Sequence, residues 1–410
     1  MKGFTTRAVH CSAAKKDAHG SLRMPVYDSA AFEFESSRDL QLAFEGRQPA
    51  HAYSRITNPT VEDFERRVRL LSDALGVIAT SSGMAAISSV AFALGASGRN
   101  VVTTRFLFGH TLSLFRHTLG RWGFETRFVD FGRPETVRDA VDDNTRFIFL
   151  ETITNPRLEV ADIDRICSIA AEAGIPVILD GTLTTPYLFK SKDHGVAVEV
   201  ISSTKYMSGG ATSVGGVIID NGTFDWSADP DLHDDAGRYG PYTLLMRLRR
   251  EVYRNLGACF SPHNAYLQTL GLETLAMRVE KGCANALEIA RFLEGHANVK
   301  AVSYPGLNAS PFHEVARRQF GGRFGGLLTF DLDSREQCFR FMDSLKIIRR
   351  ATNLNDNKTL IIHPASTIFA DYSSEERSTM GVTETMIRVA AGIEDTDDLI
   401  EDIKQGLASL

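Results

Sequence analysis

The sequence predicts an α/β fold, a mostly parallel sheet between helices followed by a smaller C-terminal α+β domain. Three observations predict it. From about residue 61 to 220, short apolar runs of strand length alternate with helix-spaced segments. The runs are continuously apolar, as strands covered on both faces are. After about 255 the texture changes to one long amphipathic stretch and scattered short strands.

Residues 1–60 hold scattered glycine, proline and polar residues with weak periodicity, and read as an extended N-terminal arm. Tyr27, Phe32, Phe34 and Phe44 within it argue that the arm packs on something. Val61, Phe64, Val68, Leu71 and Leu75 then follow helical spacing. Strands are predicted at 76–80, 100–104, 125–129, 146–150, 176–179, 198–201 and 216–219. Helices over 85–94, 135–142 and 163–173 separate some of them, and Gly174 suits the end of the last. A single helix over 263–294 opens the C-terminal part. Strands near 299–303, 327–332, 359–362 and 387–391 follow, with a closing helix from Asp397. The division expected is therefore an arm (1–60), a domain built on the parallel sheet (61–255) and a C-terminal domain (256–410).

The chain has 410 residues, 43% hydrophobic and 23% charged, the balance of a globular protein of about two to three domains. A net charge of −6 supplies no broad positive field for a nucleic-acid backbone. No apolar run is long enough to span a bilayer. Cys11, Cys167, Cys259, Cys283 and Cys338 are odd in number and form no C-x-x-C, so reduced thiols in a cytoplasmic protein are expected, with no structural metal. The start MKGFTTRAVHCSAAKK lacks the apolar core of a signal peptide.

Neither a G-x-G-x-x-G after the first strand nor a P-loop nor H-E-x-x-H is present. The stretch 211–215 is a near miss of a nucleophile elbow, lacking its first glycine and preceding a strand instead of a helix. Three positive signals remain, each ordinary alone. Ser81-Ser82-Gly83-Met84-Ala85-Ala86 opens an alanine-rich helix, where free N–H groups at its positive end suit a phosphate; a plain helix cap reads the same way. Asp180 ends the apolar run Val177-Ile178-Leu179 at the sheet rim, where an acid is either a cap or a ligand to something cationic. Lys205, in Ser202-Ser203-Thr204-Lys205-Tyr206, follows another strand at the same rim; a surface turn would place a lysine there too. An anion cradle, an acid and a desolvated amine together are what pyridoxal 5'-phosphate requires: donors for its phosphate, a carboxylate for its ring nitrogen and an amine for its aldehyde.

The order of these motifs, from Tyr53-Ser54-Arg55 to Ile387-Arg388-Val389, resembles the Cys/Met-metabolism family of pyridoxal-phosphate enzymes. The resemblance implies the aminotransferase-like fold type I and a homotetramer. It implies that Lys205 carries the cofactor, that Asp180 meets the ring nitrogen, and that Asn155 meets the ring hydroxyl. Ser82, Gly83, Met84, Ser202 and Thr204 would surround the phosphate, with Tyr53 and Arg55 reaching it from a neighbouring subunit. Phe108 would stack on the ring. Arg388 would grip the substrate carboxylate, with Asn353 beside it. His363 is left as structural.

Within the family, the segments 205–226, 264–275, 304–307 and 358–367 resemble the O-acetylhomoserine sulfhydrylase branch. That implies γ-replacement on O-acetyl-L-homoserine by a sulfur donor (free sulfide, a thiol or a carrier protein), giving homocysteine for methionine biosynthesis. Cystathionine γ-synthase or γ-lyase chemistry is the family alternative, and a non-catalytic binding protein on the same scaffold the alternative of another class. Three departures stand out. Phe108 replaces the family's tyrosine and keeps the aromatic face without its phenol. Gly210 stands where histidine is frequent, and Asn355 where glycine is.

Overall fold

The computed structural model describes residues 3–11, 17 and 19–410; part of the arm lies outside the described residues. Seven strands form the larger sheet: β1 (Gly76–Thr80), β2 (Asn100–Thr103), β3 (Glu125–Phe128), β4 (Thr145–Glu151), β5 (Val177–Asp180), β6 (Val198–Ile201) and β7 (Gly216–Asp220). Their spatial order is β1-β7-β6-β5-β4-β2-β3. The run β6-β5-β4-β2-β3 is parallel, and β7 is antiparallel to both its neighbours. Every residue of β4 and β6 is buried, which is why these strands read as unbroken apolar runs.

One face of the sheet packs on the helix Gly83–Leu94, through Ile87, Val90 and Leu94 against Val101, Phe149 and Ile178. The other packs on the helix Ile163–Glu172, where Ile163, Ile166 and Ile169 meet Ile148, Leu150 and Leu179. This second core continues without a break into the C-terminal region through Ile289, Leu328 and Ile387. There a second sheet holds β8 (Ala301–Ser303), β9 (Leu327–Asp331), β10 (Arg349–Arg350), β11 (Leu360–Ile362) and β12 (Met386–Ala390), in the order β10-β11-β12-β9-β8.

Two expectations change. The helix predicted over 263–294 is two helices, Pro262–Glu273 and Leu275–Glu294, which meet at Thr274. The break follows from close packing: a Cβ on Gly271 would stand 2.7 Å from Gly209 N. The Arg278 guanidinium meanwhile donates to the carbonyls of Tyr206 and Gly271, both at 2.6 Å. The bend thus clamps the backbone that follows Lys205. The arm is also less extended than predicted, with helices Phe4–Val9 and Ser37–Phe44. In the single chain Phe44 is 68% exposed, so no described residue covers it. Among the described residues, no helix is long and apolar enough to cross a membrane.

Candidate active site

A cavity of about 360 Å³ opens beyond the carboxyl ends of β4, β5 and β6. In a parallel sheet the strand ends converge there and helix N-termini face the same way. Of the residues singled out from the sequence, Ser82, Gly83, Met84, Phe108, Asn155, Asp180, Ser202, Thr204, Lys205 and Arg388 all line it.

Lys205 follows the end of β6 and points its Nζ at Asn353 Oδ1, 2.7 Å away. Burial lowers the pKa of this amine to about 8; the nearby Arg388 cation adds to the effect and Asp356 opposes it. An amine so placed is readily deprotonated and nucleophilic. The rate at which the cofactor-free protein captures pyridoxal phosphate is therefore expected to rise with pH up to about 8 and then level off. A stopped-flow profile that instead climbed steadily to about 10.5, the ordinary lysine value, would contradict this.

Asp180, the last residue of β5, keeps one carboxylate oxygen on the Thr182 N–H at 2.9 Å. Thr182 Oγ1 in turn accepts the Ser202 N–H at 2.8 Å, tying the ends of β5 and β6 together. Burial raises the Asp180 pKa, and no cation among the described residues pairs with it. A protonated ring nitrogen is the kind of partner it lacks.

The helix Gly83–Leu94 presents its first turn to the same cavity. Ser82 Oγ accepts the Ala85 N–H at 3.0 Å, so this hydroxyl is the helix cap. The first N–H groups, on Gly83 and Met84, have no acceptor within the helix and suit an anion. Glycine at 83 allows the approach, since a Cβ there would stand 2.6 Å from Ser202 Cβ. Thr204 Oγ1 is committed to Gly215, accepting its N–H at 3.0 Å and donating to its carbonyl at 3.1 Å.

Arg388 projects from β12 and is 2% exposed. Its Nη1 donates to Asn155 Oδ1 at 3.1 Å and its Nη2 to the Asn353 carbonyl at 3.2 Å. Its Nε has no partner among the described residues, and burial lowers its pKa to about 10. A buried guanidinium held by neutral acceptors alone is a site for an incoming carboxylate.

Sequence reasoning missed Glu151. It ends β4 directly beside Asp180 in register, is buried, and accepts the Phe108 N–H at 2.7 Å. Burial first, and then the Asp180 charge, raise its pKa well above the ordinary carboxyl value. The signal that exposed Asp180, an acid closing an apolar strand, was available here too. His110 was also missed; it lines the cavity edge-on to Phe108, with ring centres 5.0 Å apart.

Tyr53 and Arg55 do not line this cavity. Both are exposed; the Arg55 guanidinium lies over the Tyr53 ring at 5.2 Å and donates to the Arg254 carbonyl at 2.7 Å. His363 is buried, its ring nitrogens paired with Ser366 Oγ and the Glu384 carbonyl, both at 2.9 Å. Asn355 adopts φ +55°, the left-handed conformation that glycine takes freely.

The profile of the Cys/Met metabolism PLP-dependent enzymes matches residues 5–408. The homocysteine synthase of Schizosaccharomyces pombe is 34% identical over 419 residues, covering 98% of each chain. An O-acetylhomoserine (thiol)-lyase structure from Campylobacter jejuni, which contains a pyridoxyl-lysine phosphate, superposes with a TM-score of 0.91 at 34% identity. It covers 99% of this chain and 100% of its own. A structure of O-acetylhomoserine sulfhydrylase of the methionine biosynthetic pathway of Wolinella succinogenes is 50% identical. It covers 86% of this chain and 97% of its own, with a TM-score of 0.78. With an amine of lowered pKa, an unpaired acid and a free helix start around one cavity, the chain belongs to the Cys/Met metabolism family of PLP-dependent enzymes, has fold type I and uses pyridoxal phosphate.

Proposed function

We propose that the protein catalyses γ-replacement on O-acetyl-L-homoserine by a sulfur nucleophile, giving homocysteine and acetate. One observation carries the reading: Lys205 and Arg388 both bond to Asn353, one to its side chain and one to its carbonyl. An amine that anchors the cofactor and a guanidinium that awaits a carboxylate are thereby held side by side, as an α-amino acid substrate requires. The names of the similar proteins support the sulfhydrylase branch.

In this reading the bound cofactor supplies an electron sink for carbanions formed next to the substrate nitrogen. Arg388 binds the substrate carboxylate as a bidentate pair. The Lys205 amine removes the substrate's Cα proton and then a Cβ proton. Acetate leaves Cγ, the sulfur takes its place, and Lys205 returns the protons. When the cofactor is bound, Asp180 would hold the proton on its ring nitrogen. The Asn155 amide would meet its ring hydroxyl, and Ser202 with the N–H groups of Gly83 and Met84 would hold its phosphate. Phe108 offers an aromatic face and no exchangeable proton, which concentrates proton handling on Lys205.

The exposed arm carries the proposal further. Tyr53 and Arg55 reach the phosphate of a neighbouring subunit in a homotetramer, and the arm, residues 1–60, is the segment that crosses between subunits. The sulfur arrives as sulfide, a thiol or from a carrier, and the reaction takes place in the cytoplasm.

Activated homoserines incubated with several sulfur donors, with products identified by mass, test the reading. O-acetyl-L-homoserine with sulfide is expected to yield homocysteine and acetate. Ammonia and a keto acid, formed whether or not sulfide is present, would place the enzyme among the lyases instead.

A further inference from the structure

Glu199 has no part in the machinery above, yet it is fully buried in the middle of the central strand β6. Its register partner is Leu179, so its side chain leaves the face of the sheet opposite to Asp180. Ser191 Oγ donates to its Oε2 at 2.6 Å, and Asn221 Nδ2 donates to that same hydroxyl at 3.0 Å. Its Oε1 has no hydrogen-bond partner among the described residues. Burial pushes its pKa up to about 8, with the Asp180 charge adding to the effect, so the neutral acid is the form present at neutral pH.

The location of Oε1 explains why the residue after Asp180 is glycine. A Cβ on Gly181 would overlap Glu199 Oε1 and stand 2.8 Å from its Cδ. The carboxyl therefore fills the space that a side chain at 181 would take. Gly181 is the hinge of the turn that presents Asp180. Its N–H donates to the Val200 carbonyl at 2.9 Å, and its carbonyl accepts from the N–H groups of Thr184 and Thr185 at 3.1 and 2.8 Å. Glu199 abuts this turn from behind, while Thr182 fixes the Asp180 carboxylate from the front.

We propose that Glu199 is a positioning residue for the cofactor: seated against Gly181, its carboxyl fixes the turn that presents Asp180 to the ring nitrogen. The test is cofactor loss from the holoenzyme during dialysis, followed by visible absorbance, with melting temperature measured in parallel. Glu199→Ala is expected to lose cofactor about tenfold faster, and Glu199→Gln, which keeps the shape, within about threefold of the parent. Gly181→Ala should also release cofactor about tenfold faster, because its methyl meets Oε1. In the double variant Gly181→Ala/Glu199→Ala the methyl enters vacated space, and most of that loss should be regained. Should Glu199→Ala fail to fold, Gly181→Ala alone and combined with Glu199→Gln carries the test: both must release cofactor faster than the parent. Two results overturn the proposal. One is a lowered melting temperature with cofactor retention unchanged. The other is a double variant whose losses simply add.

Discussion

Lys205→Ala is expected to lower turnover of any γ-substituted amino acid by about 10⁴-fold or more while leaving the fold intact. The size follows from the number of jobs assigned to one amine. In the proposed mechanism it anchors the cofactor, removes two protons and returns them, and no other amine among the described residues lines the cavity. Phe108 has no hydroxyl to share the work. The fold should survive because Lys205 contributes little to it. Its Nζ makes one side-chain hydrogen bond, to Asn353, and its burial disfavours the charged form. A melting temperature within a few degrees of the parent is expected, since the hydrogen bond lost to Asn353 is worth about 1 kcal/mol. The variant should still hold pyridoxal phosphate noncovalently through Asp180 and the start of the helix at Gly83, with a shifted absorbance. Turnover within about tenfold of the parent would refute the assignment.

Arg388→Ala is expected to reduce kcat/KM by about 10²–10³-fold, through loss of a buried bidentate pair with the substrate carboxylate. Arg388→Lys should recover little, because a point charge on a flexible stem cannot match the fork. The effect on stability should run the other way. Among the described residues the buried guanidinium has no counter-ion, and its Nε is unpaired. Arg388→Met is therefore expected to be as stable as the parent or more so in urea denaturation. A variant with a normal kcat/KM would show that the carboxylate is held elsewhere. One that unfolds readily would show that Arg388 has a structural counter-ion in the native state.

The sequence made the larger sheet legible because its strands are buried on both faces and so appear as short apolar runs without alternation. What it concealed has physical reasons. The reversed direction of β7 leaves no mark, since a buried antiparallel strand is as uniformly apolar as a parallel one. The two residues of β10 are too few and too exposed to show a period. The break at Thr274 depends on Gly271 packing against Gly209, a contact distant in sequence.

The site divides in the same way. Residues that close a strand with unexpected chemistry, Asp180 and Lys205, stood out. Glu151 closes β4 as Asp180 closes β5 and gives the same signal, but it was passed over. Glu199 hid inside an apolar run that was read for its hydrophobicity alone. The grouping of Tyr53 and Arg55 with the phosphate came only from resemblance. In the single chain they stand apart from the cavity, and their proposed role lies in a neighbouring subunit.

The central claim is that one amine, that of Lys205, holds the cofactor. Reducing the holoenzyme with borohydride, digesting it and mapping the pyridoxyl group by mass spectrometry tests it most directly. The account predicts a single modified peptide, containing Ser202-Ser203-Thr204-Lys205, and loss of the visible absorbance. A pyridoxyl group on any other lysine, or none on the protein at all, would contradict it.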